Sequence, residues 1–170
     1  MPLSNKKLEE ILNVTPHKKI NTMDKVMVYQ VTLEALKNKI DGLRLILQDS
    51  YPSMFDDAKS SAGDKHETAL AMAQLEQEKL TKQLNILLLQ EAIMTGIDPA
   101  LKHQKITIGS LVETNKGWYY FSISLGQLIC QNTTYFALSL EAPLGQMMRG
   151  KIAGEQVIFN GMITEIIGVI

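Results

Sequence analysis

The stretch that decides the fold is VMVYQVTLEALKNKIDGLRLIL, residues 26–47. Its apolar side chains recur at alternating intervals of three and four residues, at Val26, Tyr29, Leu33, Leu36, Ile40, Leu43 and Leu47. This spacing places them along one side of an α-helix with a heptad period, which is typical of a helix that packs lengthwise against another helix. The sequence therefore predicts a long helix with a packing seam.

A second helical stretch is predicted from about Asp64 to Thr95. Its apolar positions repeat the same spacing, with Gln77 as a polar interruption, and are Leu70, Ala73, Leu80, Leu84 and Leu87. At about 1.5 Å per residue, this helix would be roughly 48 Å long. Because the two stripes can face each other when the chain reverses, we expect an antiparallel coiled-coil hairpin.

The reversal falls within residues 49–67, which contain residue types that break helices and form turns, namely Pro52, Ser60, Ser61 and Gly63. A proline inside a helix removes a hydrogen bond and clashes with the preceding turn. We therefore expect the first helix to kink or stop near Tyr51, with a helical restart over Met54–Lys59.

Beyond Gly96-Ile97-Asp98-Pro99, the heptad pattern gives way to short β-rich runs at 106–112, 118–123 and 135–140. Asn160-Gly161, a dipeptide favoured in two-residue hairpin turns, separates two further runs. The expected fold class is α+β. We expect an N-terminal extension over residues 1–22, the helical hairpin over 23–98 with its tip near 60–67, and a β-rich domain over 99–170.

The composition narrows the possible function classes. The chain carries 17 basic and 18 acidic residues, so no overall charge favours non-specific nucleic-acid binding. The single cysteine, Cys130, excludes an internal disulfide and a cysteine-based zinc site. Residues 1–20 lack the apolar core of a signal peptide, and no run approaches the roughly 18 apolar residues of a membrane span. We expect a cytoplasmic protein that does not contact membranes.

Two acids at the predicted tip are candidates for metal binding. Asp64 and Glu67 stand three residues apart at a helix start, which brings both carboxylates to one side and within reach of one cation. The same spacing also forms a helix cap, in which Asp64 accepts from the Glu67 amide while the Glu67 carboxylate reaches back. Asp56 and Asp57 are alternative ligands or simply solvated residues, and His66 is expected to be solvated.

The segment 49–67 is acidic as a whole. It holds five acids against two lysines, a local charge of −3 with histidine neutral. Such a surface repels phosphate groups, so a metal ion is a more natural target for it than nucleic acid.

Two short motifs resemble the GreA/GreB family of transcription elongation factors. Residues 63–69, Gly-Asp-Lys-His-Glu-Thr-Ala, are similar to the tip at which that family's second helix begins. Residues 139–145, Ser-Leu-Glu-Ala-Pro-Leu-Gly, followed by Gly150-Lys151 and Gly154-Glu155, look like a pattern in the family's C-terminal domain. The two motifs occur in the family's order, so the resemblance extends over both predicted domains.

The predicted order of helices and strands resembles that of the family over about residues 24–170. Matching residue types are confined to the two motifs. Thr68 stands where the family commonly has asparagine, and Leu70-Ala71 stand where it has a Glu-Tyr pair. These departures lie just past the acidic pair, so they bear on cleavage more than on docking.

The resemblance implies an FKBP-like C-terminal domain that docks on RNA polymerase, through Pro143, Leu144, Gly145, Gly150 and Lys151. It also implies that Asp64 and Glu67 enter the polymerase's secondary channel and help position a second Mg²⁺ and a water that hydrolyses a backtracked transcript.

Two carboxylates are too few to hold Mg²⁺ alone, so we expect no tightly bound cofactor and an ion shared with the polymerase. The chain would then be an accessory factor and not an enzyme. It would contact nascent RNA only indirectly and would have no small-molecule substrate.

Three alternatives remain open. A Gre-like protein can occupy the secondary channel and modulate or inhibit the polymerase without stimulating cleavage. An FKBP-like domain can act as a prolyl isomerase or chaperone. An acyl-transfer enzyme using Cys130 would need a histidine partner, and none of His17, His66 and His103 stands in a recognisable pattern with it.

The aromatic run from Trp118 to Phe121 has two interpretations. Its side chains could line a ligand pocket, or they could form the core of a sheet. Aromatic strand residues most often pack in a core, so we prefer the second interpretation.

Overall fold

A computed structural model of the protein describes the backbone of residues 23–57 and 64–170, and the side chains of residues 23–49, 68 and 70–170. The predicted N-terminal extension, residues 1–22, and residues 58–63, where the turn is predicted, lie outside the described part.

The described chain begins with two long helices, α1 (Lys25–Asp57) and α2 (Asp64–Thr95). The strands that follow are β1 (Leu111–Thr114), β2 (Gly117–Ser122), β3 (Gly126–Cys130), β4 (Thr133–Ser139), β5 (Gln156–Phe159) and β6 (Met162–Val169). A short helix, α3 (Pro143–Met148), lies between β4 and β5. This layout confirms the predicted α+β class.

The helices α1 and α2 pack against each other and form the expected pair. On α1, Leu36 and Ile40 are buried, while Leu33, Leu43 and Leu47 are half-buried. On α2, every position of the predicted stripe is half-buried, including the polar Gln77. The three-four spacing therefore identified the seam correctly over most of both helices. Among the described residues, none of the helices is long and apolar enough to cross a membrane.

The seam differs from the prediction at the start of α1. Val26 was expected on the seam but is 39 % exposed, whereas Val28 and Thr32 are fully buried. This end of α1 packs against the sheet as well as against α2, and the Thr32 hydroxyl lies 2.8 Å from the Tyr135 hydroxyl on β4. The sheet therefore draws a different side of the helix inward, and Val26 is left outside.

Pro52 does not end the first helix. The expectation was a kink or a stop near Tyr51. The stop is wrong, because α1 continues to Asp57 as one element of 33 residues, whereas the kink stays a prediction. A proline lacks one backbone N–H, so the helix loses one hydrogen bond. The hydrogen bonds of the neighbouring residues can still form.

The strands form one mixed sheet in the order β3-β4-β2-β1-β6-β5. β2 and β4 pair in parallel, with Trp118 opposite Tyr135, and the other neighbours pair in an antiparallel sense. Of the predicted run 106–112, only the last residues enter β1. The strand β3 was not predicted at all.

Two tight turns shape the sheet. Asn160 and Gly161, with φ values of 51° and 76°, join β5 to β6 and confirm the predicted hairpin. Gln131 and Asn132, with φ values of 50° and 61°, make a similar turn between β3 and β4. The second turn lacks glycine, which explains why the sequence did not reveal it.

The sheet lies between two hydrophobic clusters. Toward the hairpin, Leu111, Trp118 and Tyr120 pack with residues of both helices, including Val28, Leu36 and Met94. On the opposite face, Val112, Phe121 and Ile166 pack with Met148 of α3 and Ile106. The preferred core interpretation of the aromatic run is thus confirmed for Trp118, Tyr120 and Phe121, all of which are buried.

Candidate functional site

The acidic pair belongs to the end of the hairpin that is remote from the sheet. Asp64 is the first residue of α2, and the opposite end of that helix packs against the sheet through Met94. With 32 residues, α2 spans roughly 48 Å. The side chains of Asp64 and Glu67, like those of Asp56, Asp57 and His66, lie outside the described part. Their shared cation and their cap therefore stay predictions.

The middle of α2 carries a group of exposed charges. Lys79 and Lys82 lie 3.4 Å and 4.0 Å from carboxylate oxygens of Glu76 and Glu78, respectively. All four side chains are more than half exposed, so these pairs contribute little to stability.

The helical hairpin also exposes apolar surface that the sequence did not identify. Outside the predicted seam positions, α2 exposes apolar residues at heptad intervals around Lys79 and Lys82, and these are Met72, Leu75, Ile86, Leu89 and Ile93. A groove of about 480 Å³ runs between the helices and is lined by Gly42, Leu43, Ile46, Ile86 and Leu87 among others. A second stripe on α2 could have been found by testing for a second heptad phase.

Gly145 has a packing role in the predicted docking motif. It is buried in the first turn of α3, and a Cβ added to it would overlap the carbonyl oxygen of Ser139 and lie 2.9 Å from Leu140 Cα. Pro143 begins α3, a position that requires no backbone N–H. This Pro-Leu-Gly sequence thus lets the helix pack closely on the end of β4.

Gly150 and Lys151 form the connection after α3. Gly150, with a φ of 76°, donates its N–H to the Ile106 carbonyl over 2.8 Å, and the Ile106 N–H donates to the Lys151 carbonyl over 2.9 Å. Lys151 Nζ lies 2.8 Å from Glu155 Oε1, while the other oxygen of that carboxylate accepts from the Ile152 amide. The hydrogen bond from Lys151 is the main reason that the pKa of Glu155 is lowered.

An aromatic groove adjoins this motif. It encloses about 270 Å³ and is lined by Tyr119, Phe136, Leu138, Ala142, Pro143, Leu144 and Phe159. The rings of Tyr119 and Phe136 stack with centroids 5.9 Å apart. Tyr119 is therefore the member of the aromatic run that lines a groove, as the less favoured interpretation proposed. Pro143 and Leu144, two of the predicted docking residues, form one wall.

A buried cation lies where the hairpin meets the sheet. Lys25 is only 6 % exposed, and its Nζ donates to the carbonyls of Leu101 and Ile170, the latter over 3.1 Å. The same Nζ lies 3.1 Å from His103 Nδ1. Burial lowers the pKa of Lys25, and the charge of Asp98 partly opposes this effect. The sequence contains no signal for this cluster, because its members come from three separate segments.

Polar groups in the buried core next to the hairpin hold α1 and the sheet together. The Thr32 hydroxyl donates to the Val28 carbonyl over 2.7 Å and lies 2.8 Å from the Tyr135 hydroxyl. Burial raises the pKa of Tyr135 to about 12, and the hydrogen bond with Thr32 lowers that pKa by a smaller amount. Tyr135 is therefore a neutral hydrogen-bonding group at physiological pH.

Cys130 has the environment of a core residue. It is a free thiol, and burial, followed by the charge of Asp24, raises its pKa. A protonated, inaccessible thiol is a weak nucleophile, which weighs against the acyl-transfer alternative.

Among the side chains that the structure describes, no three His, Cys, Asp or Glu groups come together as a metal site would require, and the tip acids are outside that set. Comparisons of the chain with protein-family models and with curated proteins find no match. The function has to be inferred from the motifs and from the geometry that surrounds them.

Proposed function

We propose that the protein is a Gre-type transcription elongation factor that binds RNA polymerase at its secondary channel and promotes cleavage of backtracked transcripts. The observation that carries the proposal is the position of Asp64, which begins a 32-residue helix whose other end packs on the sheet. The acidic motif is thus presented at the end of a long, narrow hairpin.

The dimensions of the hairpin suit insertion into a channel. Each helix is about 10–12 Å across with its side chains, so two packed helices form a rod roughly 20 Å wide. Asp64 and Glu67 would then complete a two-metal site whose other ligands belong to the polymerase, and a Mg²⁺ ion shared there would supply the polarisation of the attacking water. The isolated protein should accordingly bind Mg²⁺ poorly.

The sheet and α3 form, in this proposal, an FKBP-like domain that docks at the rim of the channel. Pro143 and Leu144 supply apolar surface on one wall of the aromatic groove. Gly145 allows α3 to lie close to β4, and Gly150 adopts a positive φ after that helix. The side chain of Lys151 is oriented by its contact with Glu155. Docking fixes the direction of the hairpin, and the protein then acts on nascent RNA only indirectly, through the tip.

The decisive experiment is transcript cleavage with stalled, backtracked polymerase. The double substitution Asp64→Ala with Glu67→Ala should lower the cleavage rate at least about tenfold while polymerase affinity stays within twofold of the parent, because the pair positions the metal and does not dock. Glu76→Ala with Glu78→Ala is the matched control, since it removes two exposed acids from the same helix. Equal loss in both variants would contradict the proposal.

A second candidate is a channel-binding modulator that does not stimulate cleavage. It is favoured by the departures just beyond the acidic pair, where Thr68 is exposed and Leu70 is turned partly into the seam. Purified protein that binds polymerase and competes with a cleavage factor, but leaves the backtracked transcript intact, would establish this candidate.

A third candidate, a prolyl isomerase or chaperone, is suggested by the aromatic groove beside α3. Isomerisation of a proline-containing peptide by the full chain, lost on Tyr119→Ala, would support it. No acceleration by the intact chain would exclude it.

A further inference from the structure

The ammonium group of Lys25 is satisfied by three acceptors. A lysine ammonium carries three N–H donors and no acceptor. The contacts of Lys25 Nζ are the Leu101 carbonyl, the Ile170 carbonyl and His103 Nδ1. These groups belong to the segment that follows α2 and to the end of the sheet, so the first turn of α1 is joined to both.

His103 can accept from Lys25 only in its neutral form. An ammonium donates, so Nδ1 must offer its lone pair and the ring proton must reside on Nε2. Protonation would place an N–H and a second positive charge 3.1 Å from Lys25 Nζ. The ring lies beside Gly109, where an added Cβ would be in van der Waals contact with His103 Cε1.

The groups around the contact act on Lys25 and His103 in both directions. Asp98 acts on Lys25 and favours its ammonium form. Burial, followed by the positive charge of Lys25, lowers the pKa of His103, and a hydrogen bond with the Ile170 backbone opposes this only in part. The neighbouring Asp24, Lys102 and Lys105 are exposed, so solvent screens their charges.

We propose that His103 is a pH sensor that holds the hairpin on the sheet while it is neutral and loosens that attachment when it is protonated. Because the pKa of His103 is depressed in the folded protein, its stabilising effect is complete above the unfolded value of about 6.5 and is lost as the pH falls through the folded value. Acidification would thereby weaken the attachment at the first turn of α1, next to the apolar cluster that also joins the hairpin to the sheet. This inference does not depend on polymerase binding.

Trp118 is a built-in reporter of this junction, because the chain's single tryptophan is buried between the sheet and the helices. The test uses the full chain with His17→Gln and His66→Gln, so that His103 is the only histidine. Its tryptophan emission should shift reversibly to longer wavelength as the pH is lowered from about 6.5, and NMR should give His103 a pKa below about 6.5. Adding His103→Gln, which retains an acceptor but does not titrate, should abolish the shift.

An emission shift that persists after His103→Gln would overturn the proposal, as would a folded His103 that titrates at or above about 6.5. If His103→Gln does not fold, the NMR titration of the parent still decides. Lys25→Met supplies an independent check, since removal of the neighbouring charge should raise the pKa of His103. An unchanged or lower value in that variant would show that the two groups are not coupled.

Discussion

At the scale of single residues, close packing requires a glycine at position 145, which belongs to the predicted docking motif. The first turn of α3 crosses the end of β4 so closely that no side chain fits at this position, and the nearest groups are the backbone of Ser139 and Leu140. Backbone atoms cannot move aside as the end of a flexible side chain can. The residue therefore sets how close to β4 the first turn of α3, which contains Pro143 and Leu144, can lie.

Gly145→Ala should lower the free energy of unfolding by about 1–3 kcal/mol, because the added methyl group forces α3 away from β4. Urea unfolding followed by circular dichroism measures the change. Gly42→Ala is the control, since nothing lies within 4 Å of the added Cβ in the middle of α1. That variant should gain roughly 0.5–1 kcal/mol from better helix propensity. A stable Gly145→Ala protein would show that α3 is not packed as closely as described.

At the scale of elements, α1 packs against two partners, α2 and the sheet, with different sides of the helix. Leu36, Ile40 and Leu43 face the partner helix at a heptad spacing, whereas Val28 and Thr32 face the sheet. The change of side occurs where the helix passes over β3 and β4. The polar contact between Thr32 and Tyr135 lies inside that apolar interface and specifies how α1 sits on the sheet.

A double-mutant cycle of Thr32→Val and Tyr135→Phe should give a coupling energy of about 0.5–1.5 kcal/mol, as expected for one buried hydrogen bond between neutral groups. Thermal or urea unfolding of the four proteins measures it. Thr81→Val removes a comparable hydroxyl that bonds to Gln77 on exposed helix surface, and should change stability by less than about 0.5 kcal/mol. Strict additivity in the cycle would mean that the two hydroxyls do not interact.

At the scale of the whole molecule, the proposed function separates two tasks in space. The acidic motif lies at one end of the hairpin, and the groove beside α3 lies on the far face of the sheet. The contacts of Lys25 with Leu101, His103 and Ile170 join the hairpin to the sheet. Affinity for polymerase and cleavage activity should therefore be separable by substitution.

Pro143→Glu should weaken polymerase binding about tenfold or more, since it places a charge on the apolar wall of the groove. The fold should be kept, because glutamate is favourable in the first turn of a helix. Affinity measured by biolayer interferometry and the melting temperature test both statements. Ala100→Glu, which adds the same charge at an exposed position between α2 and β1, should bind normally. Unchanged binding by Pro143→Glu would exclude this wall from the docking surface.

Much of the hairpin could be predicted from the sequence, because the spacing of apolar residues is a local property that a helix converts directly into a stripe. The same local reasoning found the turn at Asn160-Gly161, whose residue types tolerate positive φ. It failed at Gln131-Asn132, where the turn is imposed by the pairing of β3 with β4. Of its two expectations at Pro52, a kink or a stop, the stop was wrong, since one lost hydrogen bond does not end a helix of 33 residues.

The sequence by itself determined the two-helix hairpin, the position of the acidic motif at the start of its second helix and the β-rich second half. Only the tertiary structure decided that Val28 and Thr32 replace Val26 in the core, that Tyr119 lines a groove while Tyr120 is buried, and that Lys25 meets His103. The physical reason is the range of the interactions. Periodicity acts between residues a few positions apart, whereas Lys25 and His103 are separated by 78 positions and meet only when helix and sheet pack together.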